Sequence, residues 1–300
     1  MIKRFLDYVE IRTKITSLFA FLMSLGLLLY KEQEISVINT LVFFCSMFLL
    51  DLATTAINNY IDTKTGEQKL PFDRKTALHI IYVLLFIGAL LGIYLAWQNG
   101  LVVLAVGAVC FLCGIFYTYG PVPISRQPLG ELLSGIFYGL FIPFLMFYIN
   151  TPEGTFLTYS ISLEEINLSV KIMPILAVLL FAVIPFCCTA NIMLANNICD
   201  VEKDIKVKRH TLPYYIGRKS LDLFGFLYYA CYLSVIIMSI VKILSPLCLL
   251  SLLTIYPVGK NIKAFKIKQS KSETFILSIK NYIIIMGSLT ILIFISILLP

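Results

Sequence analysis

The stretch Asn196 to Leu212, NNICDVEKDIKVKRHTL, ends a long apolar run, at the point where a membrane helix meets water. On a helix, Asn196, Asp200 and Asp204 recur every four residues and share one face. Lys203, Lys206, Lys208 and Arg209 lie among them or follow within a few residues. Such mixed charge reads in two ways. It is a solvated loop, or it is a place where a hard divalent cation takes oxygen from one or two carboxylates and from a bound phosphate, with Lys and Arg neutralising the rest.

The chain carries the pattern twice. Asn58-Asn59-Tyr60-Ile61-Asp62 and Asn196-Asn197-Ile198-Cys199-Asp200 are both NNxxD. Each is read as ending an apolar helix and leading into a basic loop, with Lys64, Lys69, Arg74 and Lys75 after the first. Two similar segments at matching helix ends suggest a pseudo-repeat, about 15–150 and 172–299, whose four-helix halves face each other across one cavity.

Composition sets the class. The 300 residues are 59% hydrophobic, 14% charged and have a mean hydropathy of +0.90, against about 25% charged in soluble domains. The expectation is an all-α integral membrane protein, one polytopic domain over residues 1–300. A formal net charge of +7 is spread over short inter-helix loops, which fits membrane topology better than nucleic acid. Seven of the eight cysteines lie inside apolar runs, and the CxxC of Cys110 and Cys113 lacks a second pair or a His. They read as small buried hydrophobes, with no disulfide framework.

Residues 1–14 interleave Lys3, Arg4, Arg12 and Lys14 with apolar side chains, as an interfacial amphipathic helix does. Apolar runs of spanning length follow at about 15–30, 36–57, 77–97, 100–119, 130–149, 172–196, 221–241, 244–259 and 280–299. The expectation is a bundle of nine transmembrane helices with a central cavity. With the N-terminus cytoplasmic, 21 of the 24 Lys and Arg fall on the inner side and 3 outside, so both NNxxD segments face the cytoplasm.

Within the second run Asp51, Thr55, Asn58 and Asp62 form a polar stripe. Asp51 is either functional or a carboxyl bonded to a neighbouring helix. The segment Tyr117 to Glu131, YTYGPVPISRQPLGE, holds two Gly and three Pro and makes a rigid turn. It places Tyr117, Tyr119, Arg126 and Glu131 on the same membrane side. The acidic segment 151–170 shows no chemistry, and the lysine-rich segment 260–271 is explained by anionic lipid. His79 and His210 have no companion at ligand spacing.

With these segments in hand, the chain resembles the UbiA-type membrane aromatic prenyltransferases from about Arg12 onward. NNICDVEKDIKVKRHTL is similar to that family's NNxRDxxxDxxxGKRTL. Together with YTYGPVPISRQPLGE it looks most like the branch that prenylates 1,4-dihydroxy-2-naphthoate on the way to demethylmenaquinone. The chain departs from the family pattern at four places: Asn59 and Gln68 stand where carboxylates are usual, Cys199 where Arg is, and Val207 where Gly is. Glu67, Asp51 or an amide oxygen of Asn58 or Asn59 would then make up the first site.

The resemblance implies transfer of a polyprenyl group from its diphosphate to an aromatic acceptor, with Mg²⁺ as cofactor, in a bacterial cytoplasmic membrane. It implies catalytic roles for Asp62, Asp200 and Tyr117, and metal ligation by Asn58, Asp62, Asp200 and Asp204. Lys64, Arg74, Lys208, Arg209, Asn196 and Asn197 would hold the diphosphate. Arg12 and Lys14 would hold the acceptor's carboxylate. Tyr117 and Tyr119 would offer aromatic faces to an allylic cation. Two rivals remain at this point: a secondary transporter built from repeats, and an inactive relative that binds a quinone or lipid.

Overall fold

The computed structural model describes residues 1–64, 69–120 and 123–299. Residues 66–68, 121 and 122, which entered the reading above, lie outside these. In chain order the elements are α1 (Ile2–Tyr8), a 3-10 turn (Ile11–Lys14), α2 (Ile15–Tyr30), α3 (Val37–Asp62), α4 (Arg74–Asn99), α5 (Leu101–Phe116), a 3-10 turn (Ile124–Arg126), α6 (Gly130–Ser134), a π-helical stretch (Gly135–Phe141) and α7 (Ile142–Tyr148). Then come strands β1 (Leu157–Ile161) and β2 (Ile166–Val170), α8 (Ile172–Lys206), α9 (Leu212–Ile216), α10 (Lys219–Ile240), a 3-10 stretch (Pro246–Thr254), α11 (Ile255–Ile267) and α12 (Ile276–Ile297).

Among the described residues, seven helices are long and apolar enough to cross a membrane. Leu101–Phe116 is apolar but shorter. The segment read as an apolar helix over 244–259 begins instead as 3-10 helix at Pro246, whose ring supplies no N–H, and turns α-helical only at Ile255. The 151–170 segment is not featureless either. It forms an antiparallel hairpin with Leu157 opposite Val170 and Ile161 opposite Ile166, so a small exposed sheet accompanies the helices.

The chain divides into two compact units. The first comprises Met1–Leu18, Val37–Gly130 and Val201–Tyr215. Its core is Tyr8 and Val9 packed on Leu52, Ala53, Ala56 and Ile57 of α3 and on Ala77, Ile81 and Leu84 of α4. Small residues on α3 let α1 approach, and Tyr8 donates to the Ala77 carbonyl at 3.3 Å. Burial pushes the Tyr8 phenol well above its ordinary range. Helix α4 starts at Asp73, whose carboxylate caps the Thr76 N–H at 3.0 Å. That hydrogen bond holds its pKa below the usual carboxylate value. Gly100, at φ 87°, makes the tight reversal between α4 and α5 that a side chain would resist.

The second unit comprises Phe19–Ser36, Glu131–Asp200 and Ile216–Pro300. Glycines of the π-helical stretch pack directly on α8. A Cβ on Gly139 would fall 2.2 Å from the backbone of Phe186, and one on Gly135 would fall 2.7 Å from the Phe186 ring. Two glycines four apart thus let helix backbones touch, where packing rather than water drives association. Phe147 meets Phe181 edge to face at 5.2 Å. Cys188 and Cys231 approach to 3.7 Å as thiols, and all eight cysteines are free.

Candidate functional site

In the first unit the polar stripe of α3 divides by depth. Asp51 is buried and pairs with Lys14 Nζ at 2.8 Å. Ser17 donates to the other carboxylate oxygen at 2.7 Å. Lys14 also donates to the Asp51 carbonyl at 3.0 Å and to Thr55 Oγ1 at 2.5 Å. All three ammonium protons are therefore engaged. Asp51 is the carboxyl bonded to a neighbouring segment, and Lys14 is its partner. Arg12, two residues earlier, is exposed.

Two turns further along α3, Asn58 Oδ1 is buried with no hydrogen-bond partner. Asp62, one turn on, is exposed and makes no ion pair among the described residues. An orphaned carbonyl oxygen four residues before a carboxylate is a hard, oxygen-only donor pair suited to a divalent cation. Asn59 points elsewhere. Its Nδ2 donates to the Tyr8 carbonyl at 2.9 Å and to Glu10 Oε1 at 3.2 Å. The amide at this position clasps the N-terminal segment, a task a carboxylate has no proton to perform.

Cations gather around Tyr60. The Arg74 guanidinium lies 4.6 Å from its ring centroid and donates to its carbonyl at 2.9 Å. Lys64 Nζ lies 5.5 Å from the same ring. A cavity of about 500 Å³ opens beside them, lined by Ile61, Lys64, Thr118, Tyr119, Ser125 and Arg126 among others. Tyr119 lines this cavity, and the carbonyl of the half-buried Tyr117 accepts the Ser125 N–H at 2.8 Å.

The tail of the second motif belongs to this unit. Helix α8 runs six residues beyond Asp200, to Lys206, so this motif does not end its helix as Asp62 does. The Arg209 N–H closes back on the Asp204 carbonyl at 2.9 Å and the Lys208 N–H on the Ile205 carbonyl at 3.0 Å. Lys208 takes the left-handed conformation at φ 57°. This is a Schellman termination with Lys where Gly is favoured. It aims the Arg209 side chain at the turn after α5, where Nε donates to the Ser125 carbonyl at 2.8 Å. Asp204 is buried, 3.8 Å from Arg209, and Lys208 is exposed.

In the second unit Asn196 and Asp200 are already joined by a cation. Lys271, in the turn between α11 and α12, puts Nζ 2.7 Å from Asp200 Oδ2 and against Asn196 Oδ1. Asn197 is buried and donates to Glu131 Oε1 at 2.9 Å. Lys271 is the residue that sequence reasoning missed. It is one of several lysines in its segment, and nothing in the pattern separates it from the rest. Glu131 was placed near the site by its turn, without its partner.

Among the described residues, no group of three or more His, Cys, Asp or Glu forms a metal-binding cluster. Two oxygen donors per motif fit Mg²⁺ chemistry, where substrate phosphates and water complete the shell. The Lys271 ammonium, held between two such oxygens, is a stand-in cation for that role.

Residues 17–285 match the UbiA prenyltransferase family. The chain belongs to this family. A curated relative, the 1,4-dihydroxy-2-naphthoate octaprenyltransferase of Bacillus subtilis, is 29% identical over 202 residues, covering 63% of this chain. The alignment spans 58% of that relative's length. The fold is likewise that of solved UbiA homologues. One from Aeropyrum pernix superposes with TM-score 0.65 at 17% identity, covering 93% of this chain and 98% of the other. One from Archaeoglobus fulgidus, bound to Cd²⁺, gives 0.62 at 13% identity, covering 99% and 100%. A structure described for digeranylgeranylglyceryl phosphate synthase gives 0.64 at 16%, covering 99% and 98%. This UbiA-family chain is a membrane protein by fold and by its apolar helices.

Proposed function

We propose that this protein is a Mg²⁺-dependent prenyltransferase. It transfers a polyprenyl group from polyprenyl diphosphate to 1,4-dihydroxy-2-naphthoate, with loss of CO₂ and release of diphosphate, giving the hydroquinone form of demethylmenaquinone. The family match across residues 17–285, which contains both NNxxD segments, carries the reaction class. The Bacillus subtilis relative supports the acceptor. The proposed setting is a bacterial cytoplasmic membrane, with nine spans and a cytoplasmic N-terminus, on the 21 to 3 distribution of Lys and Arg.

Asn58 and Asp62, and Asn196 with Asp200 and Asp204, are the oxygen donors for metal. When bound, Mg²⁺ supplies Lewis acidity toward the departing diphosphate. The chain's own cations do the remaining electrostatic work. Lys64, Arg74, Lys208 and Arg209 pair with phosphate oxygens and hold the leaving group in place. The amide of Asn197 acts at one remove, by fixing α8 against Glu131. The cavity beside Thr118 and Tyr119 shields the allylic carbon from water, and the Tyr119 face favours developing positive charge by about 0.5–2 kcal/mol. Tyr117 is the neighbouring candidate for that task. Arg12 receives the acceptor's carboxylate, and Lys14, engaged by Asp51, keeps the segment bearing Arg12 docked.

The test is turnover by purified protein in detergent, supplied with 1,4-dihydroxy-2-naphthoate, a polyprenyl diphosphate and Mg²⁺. A decarboxylated prenyl-naphthohydroquinone, or the quinone that air oxidation makes from it, is expected by mass and should be absent with EDTA. Asp200→Ala should abolish it in a protein that still elutes as a folded species. Product with 4-hydroxybenzoate alone would move the acceptor. No product with any acceptor would return the transporter and inactive-relative readings.

A further inference from the structure

Lys271 sits outside every motif. Its ammonium nevertheless sits between an amide oxygen and a carboxylate oxygen of the second motif, against Asn196 Oδ1 and 2.7 Å from Asp200 Oδ2. Its turn is pinned. The Ser270 N–H donates to Thr274 Oγ1 at 2.8 Å, that hydroxyl donates to the Lys268 carbonyl at 2.8 Å, and Lys268 pairs with Glu273 at 2.5 Å. The side chain is held at its tip, by those two oxygens and by the Phe275 ring, 4.7 Å from Nζ. It is 45% exposed and reaches these partners through a flexible four-carbon stem. The base of this residue is therefore fixed, while its charge can swing once those contacts are given up.

Resting on the proposed metal and diphosphate chemistry, we propose that Lys271 is the resident counter-cation of the second motif. It neutralises Asp200 until a divalent cation arrives, then turns to the diphosphate. An ammonium and a metal ion do not share two oxygens within bonding distance, because their charges repel. Metal entry therefore requires Lys271 to leave. Its anchored turn keeps the displaced charge beside the motif, where a diphosphate brings acceptor oxygens for it. The same side chain opposes metal alone and favours metal with diphosphate, so the site closes only when both are present.

Opposite signs in two binding measurements test this. Mn²⁺ binding to the purified full chain in detergent is read from the electron paramagnetic resonance signal of free Mn²⁺. Inorganic pyrophosphate binding is read by calorimetry at saturating Mn²⁺. Lys271→Met should bind Mn²⁺ about two- to fivefold tighter, since an exposed ion pair no longer competes. It should bind pyrophosphate about tenfold weaker, the loss of one charged hydrogen bond. Lys271→Arg should stay near wild type in both. Equal or weaker Mn²⁺ binding by Lys271→Met, with binding still lost in Asp200→Asn, would overturn the role of Lys271 and leave the metal site standing. Mn²⁺ binding indifferent to Asp200→Asn would overturn the metal reading and this inference together.

Discussion

The two NNxxD segments are the same five-residue pattern used in two settings. In each, the first Asn and the Asp lie one turn apart on one helix face, while the second Asn is rotated away and holds another element. Asn59 ties α3 to the N-terminal segment through Tyr8 and Glu10. Asn197 ties α8 to Glu131. What differs is how the proposed ligand pair is kept. Asn58 Oδ1 is buried and unpartnered and Asp62 is exposed, whereas Asn196 and Asp200 are bridged by Lys271. One pattern therefore contains a proposed chemical pair and a structural residue, and the structural residue explains the departure from the family at Asn59. An Asp at 59 would meet Glu10 and lose its hydrogen bond to Tyr8.

The largest effect should come from the chemical pairs. Asp62→Asn and Asp200→Asn are each expected to lower kcat/KM by about 10²–10³, the scale of removing one preorganised charge contact from a transition state. If the two motifs share the work, the losses will be of similar size. A loss at Asp200 with none at Asp62 would break the comparison, and would assign the chemistry to the second motif alone. Turnover at saturating Mg²⁺ is the measurement.

The structural residues should separate from the ligands by affecting stability, and from each other by burial. Asn197→Asp places a second carboxyl against a buried Glu131 whose other oxygen already lacks a partner. A loss of about 2–4 kcal/mol is expected, seen as a lower thermal midpoint in detergent. Asn59→Asp, half-buried beside an exposed Glu10, should cost about 1–2 kcal/mol. Restored or improved metal binding in Asn59→Asp would show that position 59 belongs to the ligand pair after all.

Much of this arrangement was legible from residues. The apolar runs, both motifs, the basic tail after Asp204 and the turn bearing Arg126 and Glu131 all follow from periodicity, charge and Gly-Pro content. The unread parts depend on contacts between distant segments. A pattern does not tell which Asn of NNxxD faces a ligand. It also does not tell that Lys14, expected to hold the acceptor's carboxylate, has all three protons engaged by Asp51 and Thr55. Lys271 lies 71 residues from Asp200 in a segment where any lysine would look the same. Likewise, Pro246 is as compatible with a helix start as with the 3-10 stretch it begins, because in both it occupies a position whose N–H goes unused.

The smallest expected effect concerns how the second motif ends. Matching Lys208-Arg209 to the family's Lys-Arg puts its Gly at Val207, whereas counting the pattern residue for residue to Thr211-Leu212 puts it at Lys208. The backbone agrees with the second count, because the left-handed residue is Lys208, with φ 57°. A side chain there costs on the order of 1 kcal/mol relative to Gly. Lys208→Gly should therefore raise stability by about 0.5–1 kcal/mol while weakening pyrophosphate binding, because the same change removes a charge proposed to pair with phosphate. Val207→Gly should gain nothing and cost about 0.5 kcal/mol, since it loosens a residue whose conformation an L side chain already accepts. Paired thermal midpoints of the two variants decide it. If Val207→Gly proves the stabilising one, the turn after α8 closes one residue earlier than described. Arg209 would then be aimed by a different geometry from the one that joins it to Ser125.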